Sequence, residues 1–115
     1  MPLPALARYL SRRIRWVWRE SRRAGLPMLI LSGRYGLLTP QTKIPYYDQA
    51  LSPAEVTQLS QKIIAQLKRR RITVLTFYAR PRAMPGWSPY FQVLEKACRG
   101  LNLKLRLKYL PDDFI

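Results

Sequence analysis

The chain has no histidine and a single cysteine, Cys98, among its 115 residues. Without histidine, a Cys/His zinc site and a His-based catalytic triad are both excluded, and one thiol makes no internal disulfide. Acids are scarce too: 6 Asp and Glu stand against 21 Lys and Arg, a formal net charge of +15. Long apolar runs are missing, none approaching the roughly 18 residues that a membrane-spanning helix needs. The opening "MPLPALARYLSRRIRW" sets arginines where a secretory signal would carry its hydrophobic segment. These absences place the expected protein in the cytoplasm, with no metal and no cofactor.

The length suits one domain, residues 1–115, able to bury roughly two thirds of its unfolded surface without cross-links. Neither an internal repeat nor a linker divides it. Cys98 falls in a helical pattern with Phe91 and Leu94, which reads as a buried, inert thiol. The excess of Lys and Arg calls for a polyanionic partner. Nucleic acid and anionic membrane surfaces both gain from such contacts, and an acidic protein inside a larger assembly would match the charge as well.

Residues 5–24 read as a helix stopped by Gly25 and Pro27. Arg8, Arg12, Arg15, Arg19 and Arg22 recur at helical spacing and share one face, flanked by Trp16 and Trp18, while Leu6, Leu10, Ile14 and Val17 project from the other. "MLILS" (Met28 to Ser32) reads as a buried strand. "SPAE" (Ser52 to Glu55) carries the marks of a helix start, with Ser52 as cap, Pro53 in the first turn and Glu55 closing a capping box. That helix has Val56, Leu59, Ile63 and Leu67 as its core stripe and ends in the cations Lys68 to Arg71. "ITVLTFY" (Ile72 to Tyr78) is a second strand, and Ser88 and Pro89 open a third helix running to Gly100. In "LKLRLKYL", Leu103, Leu105, Leu107 and Tyr109 are expected inward and Lys104, Arg106 and Lys108 outward, as on a charge-guarded edge strand.

The order α-β-α-β-α-β predicts an α/β fold: a small three-layer domain around a mainly parallel, about three-stranded sheet. Ligands of such sheets bind beyond the carboxyl ends of the strands. Two irregular stretches leave those ends, residues 31–51, "LSGRYGLLTPQTKIPYYDQAL", and residues 79–87, "ARPRAMPGW". In the first, Ser32, Gly33, Arg34, Tyr35 and Gly36 are positioned either to turn the chain sharply for structural reasons or to present amides to an anion. Tyr35, Tyr46 and Tyr47 offer either stacking faces or half-buried lids. Asp48 serves as an ion-pair partner ordering the loop, as a ligand-orienting acceptor or as a general base. No second carboxylate or histidine completes a catalytic pair with Asp48 or Ser32, so nothing here requires catalysis. In the second stretch Arg80 and Arg82 interleave with Trp87 and Tyr90, a mixture that suits phosphates joined to flat bases, or else a solvated basic loop.

The first stretch resembles the YaaA-type family of bacterial peroxide-stress proteins and, more closely, a set of small bacterial domains related to it. The likeness is carried by Leu31, Ser32, Gly33, Tyr35, Gly36, Leu37, Leu38 and Pro40, then by Ile44, Tyr47, Asp48 and Leu51. Tyr46 stands where that pattern has proline, Pro45 falling one position early, and the family's initial strand with its Ser/Cys-rich turn and Lys has no counterpart. The resemblance implies an α/β fold, a DNA- or nucleotide-related role, and Ser32, Tyr35, Tyr47 and Asp48 as site residues. It implies no settled reaction.

Taken together, the leading expectation is nucleic-acid binding. Phosphates would lie along the Arg8, Arg12, Arg15, Arg19 and Arg22 stripe, with bases near Arg80, Arg82 and Trp87. The alternatives are a nucleotide-binding domain or enzyme centred on residues 31–51, and a small basic subunit or assembly factor docking on an acidic protein or a membrane surface.

Overall fold

Gly25 takes a positive φ of 69° and Pro27 follows it, so the first helix stops where the sequence places its end. A computed structural model describes residues 3–5, 12–44 and 51–111 of the chain. Its elements are β1 (Leu3–Pro4), α1 (Arg12–Ala24), β2 (Ile30–Ser32), β3 (Gly36–Leu38) and β4 (Lys43–Ile44). A 3₁₀ turn (Pro53–Glu55) then leads into α2 (Val56–Arg70), β5 (Val74–Ala79), α3 (Ser88–Leu101) and β6 (Lys104–Tyr109). The predicted capping box is formed: the Glu55 carboxylate accepts the Ser52 backbone N–H at 3.1 Å and the Ser52 hydroxyl at 2.8 Å. Both long helices end on a left-handed residue that is not glycine, Arg71 after α2 and Asn102 after α3, each donating its N–H back into the last turn.

The packing is organised around the β2–β3 hairpin, whose alternate residues point to opposite sides. Leu37 joins the larger core, built from Val56, Leu59, Ile63 and Leu67 of α2 and from Val93, Leu94 and Ala97 of α3, with Leu31 packed against it. Ile30 and Leu38 face the other way into a smaller cluster with Ala5 and Ile44, against which Ile14 of α1 packs. Leu75, Phe77 and Leu105 bring one face of the β5–β6 sheet onto the larger core. Cys98 is buried on α3, and burial pushes its thiol pKa up, in keeping with an inert structural side chain.

The fold is α/β, but its sheets differ from the expected single one. The described strands form three two-stranded sheets, β1–β4 and β2–β3 antiparallel and β5–β6 parallel. The order α-β-α-β-α-β is broken because the stretch after Ser32 is not one long loop. It doubles back at Gly36 into β3, with Ser32 opposite Gly36, and then supplies β4 as a partner for β1. Immediate hairpin pairing occupies one edge of β2, and a cavity separates its other side from β5. The alternation along β6 holds for Lys104, Arg106 and Lys108, all exposed, yet of the residues expected inward only Leu103 and Leu105 pack against the larger core, and Leu107 and Tyr109 remain 44% and 59% exposed.

Candidate functional site

Ser32 is fully buried, and its Oγ accepts the backbone N–H groups of Arg34 (3.1 Å) and Tyr35 (3.0 Å), closing the turn from inside. The turn is clamped by Gln66 of α2, whose Oε1 accepts the Leu37 N–H at 2.8 Å and whose Nε2 donates to the Tyr35 carbonyl at 3.2 Å. Gly36 lies between those two bonds with φ of 78°, and a Cβ there would stand 2.5 Å from Gln66 Oε1. At Gly33 a Cβ would press on the Leu51 backbone and on the Tyr90 hydroxyl, each little more than 3 Å away. The "SGRYG" segment is therefore a hairpin turn fitted against α2 and the start of α3. Of its polar side chains only Arg34 is exposed, with its guanidinium 5.6 Å from the Tyr35 ring centre. Tyr47 and Asp48, expected to complete this loop's site, lie outside the described residues, as does Arg8.

The first stretch meets the start of α3, just past the second: the Tyr90 hydroxyl accepts the Leu51 N–H at 3.3 Å beside Gly33, while Leu31 and residues 85–87 line one cavity. Their arginines are placed unlike the sequence expectation, though. Arg80 is only 3% exposed and its Nη2 is buried with no hydrogen-bond partner, so it cannot lie on a surface and grip phosphate from there. Arg82 is exposed, but its Nη1 is held by both oxygens of Glu95, at 2.8 and 2.7 Å. Trp87 is half-buried, tilted against Phe77 and Tyr90, with Arg13 of α1 stacked 5.6 Å from its ring centre.

The arginine face of α1 is presented as the spacing predicts. Arg12, Arg15, Arg19 and Arg22 are exposed, whereas Ile14 and Val17 on the opposite face are partly covered. Arg22 also stacks on Trp18, 5.0 Å from its ring centre. Sequence reasoning missed what this face adjoins. Trp16, one turn after Arg12, meets Tyr78 of β5 edge-on at 5.8 Å, and Lys108 of β6 lies 5.9 Å from the same Tyr78 ring. Because β5 and β6 are parallel and in register, Thr76 shares a sheet face with Arg106, and Tyr78 shares it with Lys108. Lys104, Arg106 and Lys108 thus stand on the strand beside the one whose Tyr78 ring meets Trp16, with Lys108 against that ring. The alternation along "LKLRLKYL" marks these three as solvated edge guards, and all three are exposed; their nearness to α1 through Trp16 and Tyr78 is not visible in it.

A cavity of about 370 Å³ lies between α1, β2, β5 and residues 85–87, its wall formed largely by aromatic and aliphatic side chains. Among the described residues, no group of His, Cys, Asp and Glu is placed to hold a metal ion, and no helix is long and apolar enough to cross a membrane. No family model, curated protein or solved structure matches this chain.

Proposed function

We propose that the protein binds nucleic acid on the surface that runs from the arginine face of α1, over Trp16 and Tyr78, to the outer face of β6. One observation carries this reading: the edge-on contact of Trp16 with Tyr78 joins two cationic rows that are far apart in sequence. The rows hold Arg12, Arg15, Arg19 and Arg22 on one side and Lys104, Arg106 and Lys108 on the other, and all seven side chains are exposed. A polyphosphate backbone is the partner that rewards such spacing, because each neutralised phosphate releases condensed counterions. Aromatic rings set among the cations add a stacking surface that a plain anionic sheet would not use. The likeness of residues 31–51 to the YaaA-type family points the same way. The architecture that goes with this reading has three layers: α1 on one side of the strands, α2 and α3 on the other.

Charge reversal tests the surface. The pairs Arg15→Glu with Arg19→Glu, and Lys104→Glu with Arg106→Glu, are each expected to weaken oligonucleotide binding by at least tenfold at low salt, whereas Lys62→Glu on exposed α2 leaves it within about twofold. Equal losses from all three would reduce the effect to net charge. Capture by anionic vesicles with no oligonucleotide binding would replace the partner by a lipid surface.

A further inference from the structure

The cavity beside this surface has features that a mere packing gap lacks. Thr73 accepts the Lys104 N–H and Ala79 accepts the Leu110 N–H, so the odd-numbered residues of β5 turn their backbone groups toward β6. The intervening Thr76 and Tyr78 consequently direct N–H and C=O away from β6, toward the side where no described strand pairs with β5. Both residues line the cavity. Flat walls come from Phe77, Tyr78, Trp87 and Tyr90, while α1 contributes Val17 and Arg13, next in sequence to the exposed Arg12. The volume is at the small end for ligand sites, about enough to seat one ring system.

We propose that the cavity takes a single unstacked base from a strand held on the adjoining cationic surface. The ring lies among the aromatic side chains, its edge meets the free backbone groups of Thr76 and Tyr78, and Arg13 sits beside the attached phosphate. This inference rests on the nucleic-acid reading and adds to it that the bound strand is single-stranded locally and is gripped by a base as well as by its backbone. Bases in a duplex are paired and stacked; a protein that seats one in a pocket must select or extrude it.

The test compares a single-stranded oligonucleotide with a fully abasic strand of the same length, binding each to the wild-type protein and to Val17→Trp, which fills the cavity without altering charge. Val17→Trp is expected to weaken the base-bearing strand about tenfold and to leave the abasic strand unchanged. A second measurement uses the wild-type protein alone: adenosine or cytidine, uncharged at neutral pH, should bind saturably and shift the indole N–H resonance of Trp87. If the wild type binds both strands equally well and neither nucleoside perturbs Trp87, the base pocket is overturned while the cationic surface stands. If neither strand binds at low salt, the nucleic-acid reading itself fails and the pocket falls with it.

Discussion

Gly36 and Arg80 stand within the two stretches that looked most functional, and each makes a demand that a substitution can expose. At Gly36 the positive φ and the Gln66 amide, 2.5 Å from where a Cβ would stand, both resist a side chain. Gly36→Ala is expected to destabilise the fold by about 2–3 kcal/mol, from backbone strain and the loss of one or both Gln66 bonds. An unchanged urea midpoint would mean that the hairpin adapts freely. Arg80 presents the opposite case, a buried guanidinium with an unpartnered Nη2. A buried donor left unsatisfied costs about 1–3 kcal/mol, so Arg80→Met, which removes it, should raise stability by about that amount. Destabilisation in a thermal or urea melt would show that the remaining contacts of the Arg80 side chain outweigh its unpartnered Nη2.

At the scale of elements, β6 separates what periodicity reveals from what packing decides. Leu105 and Leu107 look equivalent in the alternation, yet Leu105 packs on the core and Leu107 is 44% exposed. Leu107→Thr should therefore change stability by less than about 0.5 kcal/mol, and Leu105→Thr should cost about 1–3 kcal/mol. Equal losses in chemical denaturation would return Leu107 to the core. The helices were legible because their signals are local: Ser52, Pro53 and Glu55 at one start, Pro89 at another, and Gly25 at an end. The arginine face of α1 was legible for the same reason, since helical spacing alone fixes which residues share a side. The sheet arrangement was not. Gln66, from a distant point in the chain, clamps the β2–β3 turn, and a cavity lies between β2 and β5; no local pattern shows either. For the proposed site, the rows on α1 and β6 were each visible as charge patterns, but the contact of Trp16 with Tyr78 between them is one that no sequence pattern encodes. In the second stretch, the burial of Arg80 and the Glu95 carboxylate that holds Arg82 are both invisible in the one-dimensional pattern.

For the whole molecule, a formal charge of +15 makes some attraction to any polyanion unavoidable, so weak binding alone decides little. A localised surface has a sharper signature. A nucleic-acid surface built from the seven exposed cations on α1 and β6 would neutralise a fixed number of phosphates, which the dependence on salt counts. The most direct measurement is the affinity for a single-stranded oligonucleotide across a range of salt concentrations, by anisotropy, for the wild type and for Lys104→Glu with Arg106→Glu. For the wild type, log K should fall linearly with log[salt] at a slope of about −4 to −5, and the double substitution should make the slope shallower by about 1–2. A flat dependence, or a slope unchanged by the loss of both β6 cations, would contradict a nucleic-acid surface spanning α1 and β6.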